Sequence, residues 1–437
     1  RRIIDKDEAV ELLTATLPDL DGGEVRERLS SKKGFVWLKR EITPLQQQEI
    51  RRLGIPGIGF LRENKRVYPT GNEVAHLIGL VNIDNQGIAG MEKWLDSNGL
   101  ADLHRAGFAT DRLQRPVELS VDLRVEHALR DELLKAKEKY KAKAASGLVS
   151  NVKTGEIVAM VSVPDFDPNS PKEAHDPDRI NRLTTGVYEM GSTFKAFTLA
   201  MALDSGKADL NSMWDARGPL HYGKFTIHDD HALGRMINMK EVFHYSSNVG
   251  AARIALSQGV EAHKAFLRKL GQLDRLRTEL PESASPIMPK RWSELNTVTI
   301  AFGHGMAVAP LTSEKMRFLM RLNAEIGTAK KADVKGYYIG GKTGTAEKVI
   351  NGHYVKKRVL NAFTAILPAD NPRYQILIML DEPQPLKETF GFITSGWNAV
   401  PTGGSVIARI APLLGIEPRF DLPPSDRLIL AASRTTQ

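Results

Sequence analysis

Apolar and polar residues alternate in short runs after residue 116, a pattern typical of β-strands. The strand-like runs are residues 117–122, 147–152, 156–163, 362–367 and 374–380. Lys153-Thr154-Gly155 separates two of these runs and is typical of a hairpin turn. The pattern therefore predicts a sheet whose strands come from distant parts of the chain.

Other segments have the composition of helices. Residues 123–144 contain Arg, Glu, Ala, Leu and Lys but neither Gly nor Pro, which favours one long helix. Residues 191–203 are almost wholly apolar after Lys195, so this helix is expected to be buried. Further helices are predicted at 239–257, 260–270 and 406–414. The predicted strands lie at both ends of the region after residue 116, with helices between them. This order predicts an α+β fold in which helices flank a sheet.

The length of 437 residues exceeds what one hydrophobic core usually serves, so at least two domains are expected. The first ~115 residues are polar and broken by Gly and Pro. We therefore predict a first domain over 1–116 and a second over 117–437.

Charge and cysteine content narrow the function classes. The chain has 60 Lys+Arg and 52 Asp+Glu, a net charge of +8 that is not gathered into a basic arm, so nucleic acid is not an expected partner. With no cysteine, disulfides, thiolate metal sites and a cysteine nucleophile are excluded. No apolar run reaches the ~18 residues that span a bilayer. Because the chain begins Arg1-Arg2-Ile3 without Met, we expect that an N-terminal segment is missing.

Ser192 and Lys195 are the candidate nucleophile and base. The two residues are three positions apart, so on a helix their side chains lie on the same face. A buried lysine whose pKa is lowered can accept the proton of a serine hydroxyl. A helix cap followed by a solvent-directed lysine would give the same pattern. The Ser-x-x-Lys pattern also occurs at Ser30 and Lys33 in a charged context, which we interpret as a chance surface match.

Two further elements follow in the chain. Ser246-Ser247-Asn248 is the only Ser-x-Asn, and it offers a hydroxyl for proton relay and an amide for substrate binding; by itself it is also typical of a polar helix end. Lys342-Thr343-Gly344 follows two glycines that permit close approach to a strand, and its lysine and hydroxyl suit a carboxylate. A second Lys-Thr-Gly, at 153–155, lies in the predicted hairpin turn and is rejected.

The three elements in this order resemble the motifs of class B penicillin-binding proteins, a trio also shared with serine β-lactamases. The resembling segments are Tyr188–Lys195, Tyr245–Gly250 and Gly340–Glu347, with Arg66–Pro69, Ala75–Gly79, Gly87–Glu92, Phe302–Pro310 and Asp370–Arg373 outside the motifs. The likeness leans toward the septal, cell-division member. It implies a penicillin-binding/serine β-lactamase-like transpeptidase domain after an elongated non-catalytic pedestal domain.

The resemblance also implies the chemistry. Ser192 would attack the D-Ala-D-Ala carbonyl of a peptidoglycan stem peptide, with Lys195 as base, and β-lactams would acylate the same serine. The remaining implied roles are Ser246 and Asn248 as second motif and Lys342 and Thr343 as carboxylate site. Thr343, Gly344 and Thr345 are the implied substrate-binding residues, and the backbone N–H groups of Ser192 and Thr345 would form the oxyanion hole. It implies neither metal nor cofactor.

The implied setting is the periplasmic face of the bacterial inner membrane, through a single-pass anchor outside this sequence. A membrane glycan polymerase and other division proteins are the implied partners.

Two rival functions use the same motifs. A serine β-lactamase would need a water-activating base for deacylation, and no Glu can be assigned that role. A penicillin sensor or scaffold without catalysis would be expected to lack the nucleophile or the base.

The chain departs from the family pattern at two places. Met190 stands where a proline is expected. At Ala309–Ser313 the sequence is shorter than expected, so we hypothesise that residues are missing there; the alternative is a true deletion in this chain.

Overall fold

The computed structural model describes residues 3–98, 116–308 and 317–421. The chain divides into two compact units, Arg1–Val67 and Tyr68–Gln437. The smaller unit has three helices, α1 Lys6–Thr16, α2 Gly22–Ser30 and α3 Pro44–Arg52. Its core contains one residue from each helix, Leu13, Val25 and Ile50, together with Leu17, which directly follows α1.

Ser30 and Lys33 of the smaller unit are both exposed, Ser30 at the end of α2 and Lys33 beyond it. Their interpretation as a surface match is therefore confirmed.

The larger unit combines ten helices and eleven strands within the described residues. The helices are α4 Ala75–Ile78, α5 Gly90–Ser97, α6 Leu123–Lys139, α7 Lys195–Asp204, α8 Met239–His244, α9 Asn248–Gln258, α10 Val260–Lys269, α11 Glu294–Ile300, α12 Arg317–Ile326 and α13 Ala399–Leu413. The strands are β1 Leu80–Val81, β2 Gly87–Ala89, β3 Ala144–Asn151, β4 Ile157–Val163, β5 Met213–Asp215, β6 Leu220–Tyr222, β7 Phe225–Ile227, β8 Met236–Asn238, β9 Gly340–Ile350, β10 His353–Leu367 and β11 Tyr374–Asp381.

A five-stranded antiparallel sheet organises this unit, in the order β4-β3-β11-β10-β9. Alternate residues of its strands face opposite cores. On β11, Ile376 and Ile378 belong to the core that includes α6 and α13, whereas Leu377 and Met379 belong to the core that includes Phe194. The sheet thus has a hydrophobic core on each of its two faces, and β9, which carries Lys342, lies at one edge of it.

The α+β prediction is confirmed, and so is the hairpin of β3 and β4, whose turn holds the exposed Lys153-Thr154-Gly155 with Gly155 at φ +80°. The predicted strand at 117–122 is wrong. This segment makes only isolated bonds to β4, such as Asp122 N to Val158 O at 2.9 Å, and Asp122 instead caps α6.

The predicted helix over 239–257 is also wrong as a single element. α8 ends at His244 and α9 begins at Asn248, with Ser246 in the left-handed region at φ +57°. Ser247 caps α9 by accepting a bond from Gly250 N at 2.9 Å, so a new helix starts where the first one stops.

Residues 68–98 pack inside the larger unit. Val74 and Leu77 are buried in the core that holds Phe194, Asn72 donates to Asp165 at 3.3 Å, and His76 Nε2 lies 2.8 Å from the carbonyl of Arg179. The boundary predicted at residue 116 adjoins residues 99–115, which lie outside the described part of the chain, and it stays a prediction.

Candidate active site

Ser192 lies in a tight turn ahead of α7. The turn Gly191–Phe194 is a 3₁₀ helix, and α7 continues from Lys195. Gly191 has φ +53° and donates its N–H to the carbonyl of Gly303 at 3.2 Å. A Cβ on Gly303 would lie 2.0 Å from the carbonyl oxygen of Gly191. The two backbones touch, which fixes the turn that holds the Ser192 hydroxyl in a half-buried position.

Lys195 is fully buried, and four oxygen atoms surround its amine. Nζ lies 2.9 Å from Ser192 Oγ, 3.0 Å from Ser246 Oγ and 2.7 Å from Asn248 Oδ1. It also donates to the carbonyl oxygen of Ser246. The predicted helix behind it is buried as expected, with Phe197, Leu199 and Met201 in the core.

The bonding pattern leaves the lone pair of a neutral Lys195 amine for Ser192. The carbonyl oxygen of Ser246 and Oδ1 of Asn248 can only accept hydrogen bonds, so the two N–H groups of a neutral amine donate to them. The orientation of the Asn248 amide is fixed because its Nδ2 donates to the carbonyl of His228 at 3.2 Å.

The neutral amine is accessible at ordinary pH. Burial lowers the pKa of Lys195 to about 7, and the carboxylates of Asp229 and Asp230 oppose part of that shift. A base of this pKa is neutral about half of the time near pH 7, so it can accept a proton from a serine hydroxyl.

Asp229 braces the second motif. Its carboxylate accepts bonds from Ser247 Oγ at 2.7 Å, Asn248 N at 2.5 Å and Val249 N at 2.9 Å. The carboxylate thus meets the free N–H groups at the start of α9, where negative charge is stabilising. Together with the left-handed conformation of Ser246, this arrangement directs both Ser246 and Asn248 toward Lys195.

The third motif lies on the edge strand β9. Lys342 is fully buried, with Nζ 3.1 Å from Ser246 Oγ and 3.2 Å from the carbonyl of Thr343. Burial holds the pKa of Lys342 well below its usual value, and nearby Lys195 lowers it further. The hydroxyl of Ser246 thus lies between two lysine amines.

Gly344 and Thr345 bring β9 against the Ser192 turn. A Cβ on Gly344 would lie 2.4 Å from the carbonyl oxygen of Met190 and 2.9 Å from Cγ2 of Thr193. Only glycine permits this approach. Thr345 is half-buried, and its Oγ1 accepts a hydrogen bond from Ser395 N at 3.0 Å. This bond connects β9 to the turn Ser395–Trp397, which precedes α13.

The structure therefore brings together Ser192, Lys195, Ser246, Asn248, Lys342, Thr343, Gly344 and Thr345, every one of the candidate residues predicted from the sequence. Of the two departures, Met190 is buried with its carbonyl accepting the Thr193 hydroxyl at 2.8 Å, and Ala309–Ser313 lies outside the described residues.

Sequence reasoning missed two acidic residues at the site. Asp229 lies in a polar run with no distinctive spacing, and its partners are 18 to 20 positions away. Glu189 accepts bonds from Gly305 N at 2.8 Å and Tyr354 OH at 2.9 Å. Glu189 was visible as the second residue of the first motif, but nothing in the sequence indicated a contact with residue 354.

No cluster of His, Asp or Glu suited to a metal ion occurs among residues 3–98, 116–308 and 317–421. In the same ranges no helix is both long and apolar enough to cross a membrane.

The family model described as "Penicillin binding protein transpeptidase domain" matches residues 145–316 and 304–395. This chain belongs to the penicillin-binding protein transpeptidase family. The match begins in β3 and ends at Ser395, so it spans the sheet and all three motifs.

Among curated proteins, the chain is 40% identical to the "Probable peptidoglycan D,D-transpeptidase FtsI" of Caulobacter vibrioides, over 87% of this chain and 72% of that protein. It is 30% identical to the "Probable peptidoglycan D,D-transpeptidase PenA" of Neisseria gonorrhoeae, over 92% of this chain and 78% of that protein. Both alignments extend well beyond the transpeptidase domain.

Solved structures share the fold. Penicillin-binding protein 3 of Mycobacterium tuberculosis, complexed with ampicillin, superposes with a TM-score of 0.70 at 23% identity, over 83% of this chain and 92% of that one. The transpeptidase domain of Burkholderia pseudomallei penicillin-binding protein 3 gives a TM-score of 0.60 at 24% identity, over 71% of this chain and 100% of that one.

Proposed function

We propose that this chain is a serine-type peptidoglycan D,D-transpeptidase that cross-links stem peptides in septal wall synthesis. The observation that carries the proposal is the contact of 2.9 Å between Lys195 Nζ and Ser192 Oγ, in a setting where Lys195 keeps its lone pair for that hydroxyl. Three features support stem peptides as the substrate. They are the three motifs, the resemblance of these motifs to those of septal class B proteins, and the D,D-transpeptidase names of the relatives.

Acylation begins with Ser192. Its oxygen attacks the carbonyl carbon of the penultimate D-Ala while its proton passes to the neutral amine of Lys195. The N–H groups of Ser192 and Thr345 would stabilise the oxyanion, an assignment supported by the close approach of β9 to the Ser192 turn. The tetrahedral intermediate then expels the terminal D-Ala, whose amine must receive a proton.

Ser246 is suited to deliver that proton. Its hydroxyl lies 3.0 Å from Lys195 Nζ and 3.1 Å from Lys342 Nζ, so a proton taken from Ser192 can return to the leaving amine through Lys195 and Ser246. The amine of a second stem peptide attacks the acyl-enzyme by the reverse route. The products are a new amide bond and free Ser192.

Lys342 and Thr343 are proposed to bind the terminal carboxylate of the donor. A positively charged Lys342 is favoured once an anion occupies the site, because an adjacent negative charge raises the pKa of an amine that burial has lowered. The amide of Asn248 is proposed to hold the substrate backbone. β-Lactams, which carry an equivalent carboxylate, would acylate Ser192.

The remaining parts of the proposal concern the setting. The first ~115 residues are proposed as a non-catalytic pedestal that binds division proteins, among them a membrane glycan polymerase. We place the domain at the periplasmic face of the inner membrane, held by an anchor outside this sequence. These assignments rest on the resemblance of the motifs to septal class B proteins.

The test is a two-substrate assay. A pentapeptide donor ending in D-Ala-D-Ala is supplied with an amine acceptor, and released D-Ala and cross-linked product are measured for wild type, Ser192→Ala and Lys195→Met. Wild type should form both, and each variant should lose both. Rapid release of penicilloate from a penicillin with no cross-linked product would instead favour a β-lactamase, and acylation without D-Ala release would favour a sensor.

A further inference from the structure

Thr328 contacts the third motif but has no part in the mechanism above. It follows α12 at the rim of the site, and its side chain is exposed. Its hydroxyl oxygen lies 2.7 Å from the hydroxyl oxygen of Thr343. An exposed hydroxyl beside the proposed carboxylate site is placed to influence how Thr343 bonds to a ligand.

The buried side chain of Asn323 fixes the bonding around Thr328. Its Nδ2 donates to the carbonyl of Gly341 at 2.8 Å, and because a carbonyl only accepts, the amide cannot be flipped. Oδ1 therefore faces Thr328, where it accepts the backbone N–H at 3.1 Å and lies 3.2 Å from the Thr328 hydroxyl.

The Thr328 hydroxyl thus has two acceptors within reach but only one proton. When it donates to Asn323 Oδ1, Thr343 must donate to Thr328, and the Thr343 proton is not available to a ligand. When Thr328 donates to Thr343, the Thr343 proton is free to be donated to a ligand carboxylate. The two arrangements differ only by rotation of two hydroxyl groups, so neither requires movement of the backbone.

We propose that Thr328 is a positioning residue that sets the donor direction of Thr343. This inference rests on the proposed function, in which Thr343 donates to the substrate carboxylate. Hydrogen bonds to a carboxylate are stronger than those between neutral groups. An arriving carboxylate accepts a hydrogen bond from the Thr343 hydroxyl, and the Thr328 hydroxyl then rotates to donate to Thr343 instead of Asn323. The hydrogen bond from Thr328 polarises the Thr343 hydroxyl and so strengthens the hydrogen bond that Thr343 donates to the carboxylate.

The inference predicts that Thr328 matters only for ligands that carry the carboxylate. The full chain is acylated with benzylpenicillin and with its methyl ester, and the second-order rates are compared for wild type, Thr328→Val and Thr328→Ser. Valine keeps the branched shape without the hydroxyl, and serine keeps the hydroxyl. Thr328→Val should lower the rate with the acid by up to about tenfold, the upper end of the range for one hydrogen bond between neutral groups, and the rate with the ester less than about twofold. Thr328→Ser should stay within about twofold of wild type with both.

Thr394→Val is a matched control, since Thr394 is an exposed threonine at the start of the turn preceding α13. It should change neither rate. Equal losses with acid and ester, no loss in Thr328→Val, or equal losses in the valine and serine variants would each overturn the inference. If wild type itself is not acylated at Ser192, the proposed function fails with it, whereas normal wild-type acylation with an unselective Thr328→Val overturns the inference alone.

Discussion

Lys195 is enclosed by oxygen atoms, and this environment determines which of its protonation states can act. The carbonyl of Ser246 and Oδ1 of Asn248 accept hydrogen bonds from the two N–H groups of the neutral amine. The lone pair of the amine is therefore directed at the Ser192 hydroxyl. A protonated amine would instead donate to Ser192 and leave the nucleophile inactive. The rise of reactivity with pH should therefore follow the loss of a proton from Lys195.

Acylation is expected to increase with pH through about pH 7. Burial lowers the pKa of Lys195 to about 7, and the active form is the deprotonated one, so activity is lost as pH falls below that value. The second-order rate of acylation by a penicillin, measured between pH 5 and 9, checks this. A rate that is flat over this range, or that falls with rising pH around neutrality, would contradict Lys195 as base.

Asp229 is expected to matter at a distance from the reacting atoms. Asp229→Asn retains the shape but removes the charge that accepts three bonds from residues 247–249, so Asn248 loses its fixed position. Acylation should fall at least about tenfold, since bonds to charged groups contribute about 1.5–3 kcal/mol each. Asp230→Asn makes the same change of charge on the next residue, which makes none of those three bonds, and should have a much smaller effect. Equal effects would mean that only the local charge matters.

At the scale of elements, the site depends on places where regular structure is interrupted. The break between α8 and α9 puts Ser246 in the left-handed region, and the turn at Gly191 ends in close contact with Gly303. A continuous helix over 239–257 would point Ser246 elsewhere. Sequence periodicity cannot reveal such a break, because both halves have helical composition and the interruption depends on the bonds to Asp229.

Gly344 is expected to be intolerant of any side chain. In Gly344→Ala the added methyl would lie 2.4 Å from the carbonyl oxygen of Met190, which forces β9 away from the Ser192 turn. Acylation should fall about 100-fold or more, the cost of displacing a reacting group by about 1 Å.

The control for that variant is Gly352→Ala, in the β9–β10 turn. Gly352 has φ +79° and open space around its Cβ position, so this variant should lose about 1 kcal/mol of unfolding free energy with normal acylation. Urea denaturation and penicillin labelling separate the two effects. Normal acylation in Gly344→Ala would contradict the close packing of strand and turn.

At the scale of the whole molecule, residues 68–98 are expected to be required by the catalytic unit. A chain of residues 68–437 should fold and react with penicillin like the full chain. A chain of residues 117–437 lacks Val74 and Leu77, which are buried in the core that holds Phe194, and should lose about 3 kcal/mol or more of stability. Thermal unfolding of both chains checks this, and equal stability would support the boundary at residue 116.

Much of this fold was predictable because buried strands and helices leave a periodic signal. The β3–β4 hairpin, α7 and β11 appear in the sequence pattern close to their observed bounds, whereas α6 begins at Leu123 as predicted but ends at Lys139, before residue 144. The three motifs could be assembled because their chemistry is carried by adjacent residues. Asp229, Asn323 and Thr328 could not be found in this way, since each acts through a contact that only the folded chain creates.

The most direct test of the account is the mass of the peptide that contains Ser192 after the protein reacts with a penicillin. We expect this peptide to gain the mass of one intact penicillin, with the label on Ser192, and the Ser192→Ala variant to gain none. A label that persists in Ser192→Ala, or that lies on another residue of the wild-type chain, would contradict Ser192 as the nucleophile.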